Sequence, residues 1–123
     1  MALTYAAKHT YLRRDGDVMI LRPRGNLVGS EESDELDRLF DELRQDGVRN
    51  VVLNLAAVGL VNSLELSRLV RSHLKLTQLG GQIALCEMDR RVHDMFVITK
   101  LTRIMRVFSS EDAAVLGLAV GSA

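Results

Sequence analysis

Apolar and polar positions change period several times along this chain, and each change marks an element. Tyr5 to Arg13 and Val18 to Arg24 form extended segments that meet at Asp15-Gly16-Asp17, and Asp-Gly between such segments is a short-range hairpin signal. Pro23 cannot donate a ladder hydrogen bond, which places it at a strand end or a sheet edge. Ser30-Glu31-Glu32 opens a stretch in which Leu36, Leu39, Phe40 and Leu43 recur at i, i+3, i+4 and i+7, an amphipathic helix that Gly47 stops. Val51-Val52-Leu53-Asn54-Leu55 is too short for a helix and rich in β-branching, as expected of a strand covered on both faces.

A second helix is predicted from Ser63 to about Gln78, with Leu66, Leu69, Val70, His73 and Leu74 along one stripe and Gly80-Gly81 after it. Gln82 to Met88 is a further strand. Asp89 caps a helix in which Val92, Phe96 and Met95 face inward, and a last extended piece, Arg106 to Phe108, leads through Ser109 to Glu111 and Asp112. These acids open a terminal helix ending near Gly117 or Gly121. The order is β-β-α-β-α-β-α-β-α, and strands joined through helices imply right-handed crossovers. The expected fold is therefore α/β, with about four helices and a mixed, largely parallel sheet that begins in an N-terminal β-hairpin. No linker or repeat divides the sequence, so a single domain is expected over residues 1–123, with its core at about 4–118.

Composition narrows the function. The chain has 123 residues, 47% hydrophobic and 26% charged, enough for one self-sufficient core. Sixteen basic residues balance sixteen acidic ones, so no overall field draws it to nucleic acid or an anionic membrane, and the expected partner is another protein. The one cysteine, Cys86, lies in the apolar run Ile83-Ala84-Leu85-Cys86, which excludes an internal disulfide and reads as core packing in a reducing compartment. Thr4, Lys8, His9 and Thr10 interrupt any apolar leader, and the longest uncharged stretch, Asn50 to Leu64, falls short of the roughly 20 residues of a membrane span. A cytoplasmic protein is expected.

Catalytic and cofactor chemistry finds little support. Gly80-Gly81 follows a helix rather than preceding one, unlike a phosphate-cradling loop. His9, His73 and His93 are far apart without metal-ligand spacing, and His73 on the apolar stripe reads as a packed side chain. Arg13-Arg14, Arg90-Arg91 and Lys100, Arg103, Arg106 have few aromatic companions for base stacking and read as solvated charge. No enzyme, cofactor or metal site is expected.

One junction stands out. Asn62-Ser63-Leu64-Glu65 puts a serine hydroxyl at a helix N-terminus, where unpaired N–H groups and the helix dipole favour an anion such as a phosphate on Ser63. The same residues also read as an Asn62 N-cap with Glu65 as its capping-box partner, a purely structural role. No G-x-S-x-G elbow surrounds Ser63, which speaks against a nucleophile.

The pattern from about Thr4 to Leu118 resembles the STAS domain of bacterial anti-sigma factor antagonists. The resemblance is carried by Val51-Val52-Leu53-Asn54-Leu55, Val58, Val61-Asn62-Ser63, Leu66, Leu69-Val70 and Gly80-Gly81, with further matches at Gly25-Asn26-Leu27-Val28 and Leu101-Thr102-Arg103-Ile104. It implies a non-enzymatic binding module: the unphosphorylated antagonist binds an anti-sigma factor and frees its sigma factor, and a serine kinase of the anti-sigma type phosphorylates the first serine of an Asp-Ser-Ser/Thr-Gly turn. Ser63 occupies that position, while Asn62, Leu64 and Glu65 depart from the pattern. Bulk at Leu64 and a fixed negative charge at Glu65 are expected to leave Ser63 phosphorylated poorly or not at all. The docking surface is expected to comprise Asn62, Ser63, Leu64, Glu65, Arg68 and Arg71, so that Glu65→Arg weakens partner binding with the fold intact.

Two other readings accompany this one. STAS-like domains also serve as structural subunits of membrane transporters or multiprotein signalling assemblies, which the divergent turn fits. A small-molecule or nucleotide sensor would need a pocket near the strand ends. Self-association through an uncovered hairpin edge would give a homodimer.

Overall fold

The computed structural model describes residues 5–121, with side chains through residue 119. Seven strands and four α-helices follow one another as β1 (Thr10–Asp15), β2 (Val18–Pro23), β3 (Gly25–Leu27), α1 (Glu31–Gln45), β4 (Asn50–Asn54), β5 (Val58–Val61), α2 (Ser63–Thr77), β6 (Gln82–Cys86), α3 (Arg90–Ile98), β7 (Val107–Phe108) and α4 (Glu111–Gly121). The expected elements occur in the expected order, with two further strands, β3 and β5, inserted among them and a 3-10 turn at Leu101–Arg103 between α3 and β7. The position Thr4, from which the core was expected to start, lies outside the described residues.

The main sheet runs β1-β2-β4-β6-β7. Its first pair is antiparallel, with Asp15 opposite Val18 across the turn, and every later pair is parallel. Alternation along the strands divides the core in two. Met19, Leu21, Val51, Leu53, Ile83 and Leu85 point to the face covered by α1, α2 and α3. Val18, Ile20, Val52, Ala84 and Cys86 point the other way, beneath Ala114 and Leu118 of α4. Both faces of β4 and β6 are thus covered, which is why their sequences are almost continuously apolar. No helix among the described residues is long and apolar enough to cross a membrane.

The first strand starts later than the expected Tyr5. The Lys8 and His9 N–H groups donate to the Glu35 carboxylate at 2.8 and 2.9 Å, and the Tyr5 hydroxyl donates to Asp46 at 2.7 Å, so this segment lies along α1 instead of extending the ladder. At the end of α2, Gly80 adopts φ +86°, and a Cβ on Gly81 would stand 1.9 Å from the Arg49 carbonyl oxygen. The pair therefore ends the helix and lets the chain pass against the start of β4. At the start of the last helix the Ser110 hydroxyl oxygen accepts from the Ala113 N–H at 3.1 Å.

His73 and Cys86 are packed as expected. The His73 ring is buried and its Nδ1 accepts from the Ile83 N–H at 3.1 Å, tying α2 to β6; burial lowers its pKa and keeps it neutral. Burial pushes the Cys86 thiol up to about 12. Arg13 is not loose surface charge: it lies 3.6 Å from Asp15 and 3.4 Å from Glu111.

Candidate functional site

Two short strands, absent from the expected order, build the ground on which Ser63 stands. β3 and β5 pair in parallel as a separate two-stranded sheet, with Gly25 opposite Val58 and Leu27 opposite Val61. The Asn62 N–H continues this pairing to the Leu27 carbonyl at 3.1 Å. What looks like a polar turn between β4 and α2 therefore contains a strand, and that strand fixes where α2 begins. Val58 and Val61 are the buried residues of β5, Gly59 and Leu60 the exposed ones, a pattern too short to show its period in sequence.

Ser63 is the first residue of α2 and is exposed. Asn62, in extended conformation, caps the helix: its Oδ1 accepts from the Glu65 N–H at 3.0 Å. The N–H groups of Ser63 and Leu64 lie in the first turn, beyond the reach of intrahelical acceptors, beside the positive end of the helix dipole. No hydrogen bond engages the Ser63 hydroxyl among the described residues, whereas its carbonyl accepts from the Ser67 hydroxyl at 3.1 Å.

The loop from β3 to α1 forms the other wall. Gly29 has φ +80°, and a Cβ there would lie 3.2 Å from Leu64 Cδ2, so the half-exposed Leu64 side chain rests on a bare backbone. The Ser30 hydroxyl donates to the Asn26 carbonyl at 2.8 Å and the Gly29 N–H donates to Ser33 Oγ at 3.1 Å, which hold this loop in shape. On the far side of α2, Ser63, Leu66, Ser67 and Val70 face Thr99 and Leu101 across a cleft of about 370 Å³, largely apolar in its lining. Leu64 is 50% exposed, and Val97, Ile98 and Ile104, which flank the Thr99–Leu101 side in sequence, are exposed as well, Ile98 by 75%.

The predicted docking residues divide. Asn62, Ser63, Leu64 and Arg71 reach the surface. Glu65 does not: it is 1% exposed, turned under the helix toward α1. The Ser33 side chain stands beside its carboxyl, and Asp34 and Asp37 add negative charge nearby. Burial raises its pKa to about 7, against the opposing pull of Ser33 and Arg68. Two expectations are therefore corrected. Glu65 puts no fixed charge beside the acceptor hydroxyl, and Glu65→Arg is no neutral probe of a surface, since it forces a cation into the α1–α2 interface. Arg68 is likewise less free than expected, 23% exposed and bonded to Asp34 at 2.9 Å. A sequence signal exists for Glu65, which lies four residues before the buried Leu69 on one helical face; the capping box is only half formed, since the Asn62 N–H donates to the Leu27 carbonyl and not to Glu65.

A second polar cluster, not anticipated from sequence, sits at the C-terminal ends of β2 and β4. Glu111 at the start of α4 accepts from Arg22 Nε at 2.7 Å and Asn54 Nδ2 at 3.3 Å, while its own N–H donates to Glu87 at 3.0 Å. The Arg22 guanidinium holds the Glu111 carboxyl down at about 2. Arg22, Asn54, Glu87 and Glu111 also line a cleft of about 340 Å³, with Ala56 and Ala57 on its wall, but their polar groups are bonded to one another, unlike the Ser63 hydroxyl. No group of His, Cys, Asp or Glu among the described residues is arranged to hold a metal ion.

Residues 10–114 match the model of the STAS domain. A protein of Thermotoga neapolitana named as an anti-sigma factor antagonist, a TM1081 homolog, is 30% identical over 96 residues, which cover 76% of this chain and 83% of that protein. The anti-sigma F factor antagonist of Paenibacillus polymyxa is 27% identical over 106 residues, 85% of this chain and 90% of that protein. The crystal structure of a Thermotoga maritima protein described as an anti-sigma factor antagonist shares the fold, with a TM-score of 0.82 and 24% identity over 89% of this chain and 94% of that one. With the family match spanning both sheets, α1 to α3 and the Ser63 turn, this chain belongs to the STAS domain family.

Proposed function

We propose that this protein is an anti-sigma factor antagonist: a cytoplasmic, non-enzymatic regulator that binds an anti-sigma factor with serine kinase activity through the Asn62-Ser63-Leu64 turn, Arg71 and the outer face of α2. The observation that carries the reading is the exposed, unbonded Ser63 hydroxyl at the first residue of α2, bordering an apolar cleft. Free first-turn N–H groups would receive a phosphate on Ser63, and the apolar cleft offers area that a partner can desolvate. The exposed Leu64 side chain still stands against a kinase's approach; where a phosphate is placed on Ser63 it acts locally, adding about −2 charge at the centre of the docking surface and so breaking it.

The test uses purified chain and the serine-kinase anti-sigma factors encoded in its native genome. Ser63→Ala should bind one of them like the unmodified chain, and phosphoserine at 63 should weaken binding by about tenfold or more. Ser67→Glu, an exposed position lining the cleft, should weaken it without changing the unfolding midpoint by more than a few degrees. Equal binding by unmodified and phosphoserine chains would remove the switch, and an unchanged affinity for Ser67→Glu would move the docking surface elsewhere. Recovery of a transporter or scaffold protein in place of any kinase would favour the structural-subunit reading.

A further inference from the structure

Glu65 occupies the position where the motif it resembles carries glycine, and its surroundings are those of a neutral acid. The residue is buried, in the first turn of α2 and two positions after Ser63. One carboxyl oxygen, Oε2, is buried with no hydrogen-bond partner. The Ser33 side chain of α1 stands beside the carboxyl, where its hydroxyl opposes the effect of burial. Ser33 Oγ itself accepts from the Gly29 N–H at 3.1 Å, which leaves its hydroxyl proton free to point to Glu65. The charged groups facing the carboxyl are Asp34 and Asp37 from α1 and Arg68 from its own helix, and Arg68 is already bonded to Asp34. An ionised carboxylate here would be buried with an unpaired oxygen, two acids near it and a shared cation; protonation of the carboxyl removes the buried charge and the repulsion from Asp34 and Asp37.

We propose that Glu65 is a positioning residue of the Ser63 switch: its carboxyl carries a proton while it joins α2 to Ser33 of α1, and that proton and an anion on Ser63 are held cooperatively. The proposal rests on reading Ser63 as the residue that bears the anion. A phosphate on Ser63 adds negative charge to the turn above Glu65, which favours the protonated acid, and by linkage the protonated acid favours the phosphate. The like-charge clash expected from the sequence is thereby replaced by a shared proton, and the Ser33–Gly29 contact carries the same proton's influence into the loop on which Leu64 rests.

The experiment is a carbon-detected NMR titration of the Glu65 carboxyl in the full chain, assigned by its loss in Glu65→Gln, with and without phosphoserine installed at 63 during synthesis. The midpoint should lie near 7 in the unmodified chain. It should rise by about one unit with phosphoserine. A midpoint among the ordinary carboxylates, or one that phosphoserine leaves unmoved, overturns the proposal. Stability provides a second readout. Because the folded pKa is raised, the wild-type folding constant should fall as pH rises from about 4.5 to about 7, by up to two orders of magnitude, and then level off. Glu65→Gln, which keeps shape and hydrogen bonding, should abolish that fall, whereas Glu65→Ala should lose stability at every pH. A wild-type pH dependence retained in Glu65→Gln would also overturn it. Since phosphoserine is installed without a kinase, absence of a kinase partner would leave these results intact, and failure here would leave partner binding untouched.

Discussion

Replacing Glu111 with Gln removes the charge on which Arg22, Arg13 and Asn54 converge, while keeping the side chain's size. The carboxyl is 10% exposed, so its interactions are only partly screened. Its pKa is held at about 2 against an ordinary 4.5, chiefly by the Arg22 hydrogen bonds. At about 1.4 kcal/mol per unit the displacement corresponds to a ceiling of roughly 3 kcal/mol. Arg22 is 43% exposed and shares its charge with water, which brings the expected loss on Glu111→Gln to about 2 kcal/mol near neutral pH. The sign follows from the depressed pKa: the stabilisation is full above about 4.5 and is lost as pH falls through about 2. Urea unfolding of both proteins at about pH 7, 4, 3 and 2 measures the difference directly. It should close toward zero at the acid end, where the protonated Glu111 is as neutral as the amide that replaces it. A deficit of the same size at about pH 7 and pH 2 would show that the amide is simply a poorer fit, and the electrostatic reasoning would fail. An Arg22→Met background supplies the cycle: there the Glu111→Gln loss should shrink by more than half.

Other expectations follow from single contacts. Gly81→Ala drives a Cβ into the Arg49 carbonyl and should cost several kcal/mol or prevent folding, whereas Gly16→Ala, strained in φ but with open space around it, should cost about 1 kcal/mol; thermal midpoints compare them. Asn62→Ala should lose about 1 kcal/mol and speed hydrogen exchange at the Glu65 N–H, and unchanged protection there would show that the cap contributes nothing. Cys86, buried and with its thiol pushed up to about 12, should react with a thiol reagent only as fast as the protein opens, so that labelling slows when folding is stabilised by osmolyte; rapid native-state labelling would contradict its packing.

The strand–turn–helix pattern set the start of α2 at Ser63, but the environment of the residues that follow was not legible in it. Ser63 is where the strand–turn–helix pattern placed it, and Asn62 is its cap. The charge assigned to Glu65 came from treating the first turn as wholly exposed. Side chains in a first turn fan around the helix axis, and the third position of this one points at α1, a helix well upstream whose approach no local window contains. The same limit hid β3 and β5, which are three and four residues long and stable only because each supplies the other's hydrogen bonds.

The sequence by itself determined the order of the four helices and of the main-sheet strands, the two-faced apolar strands β4 and β6, the stops at Gly47 and Gly80 and the cap at Asn62, because each depends on periodicity or on groups within a few residues. Tertiary structure alone decided that Glu65 is inside, that Arg68 belongs to Asp34, and that Arg22, Asn54 and Glu111 meet. A side chain's charge state and accessibility are set by what the rest of the chain places around it, and those neighbours lie far away along the sequence.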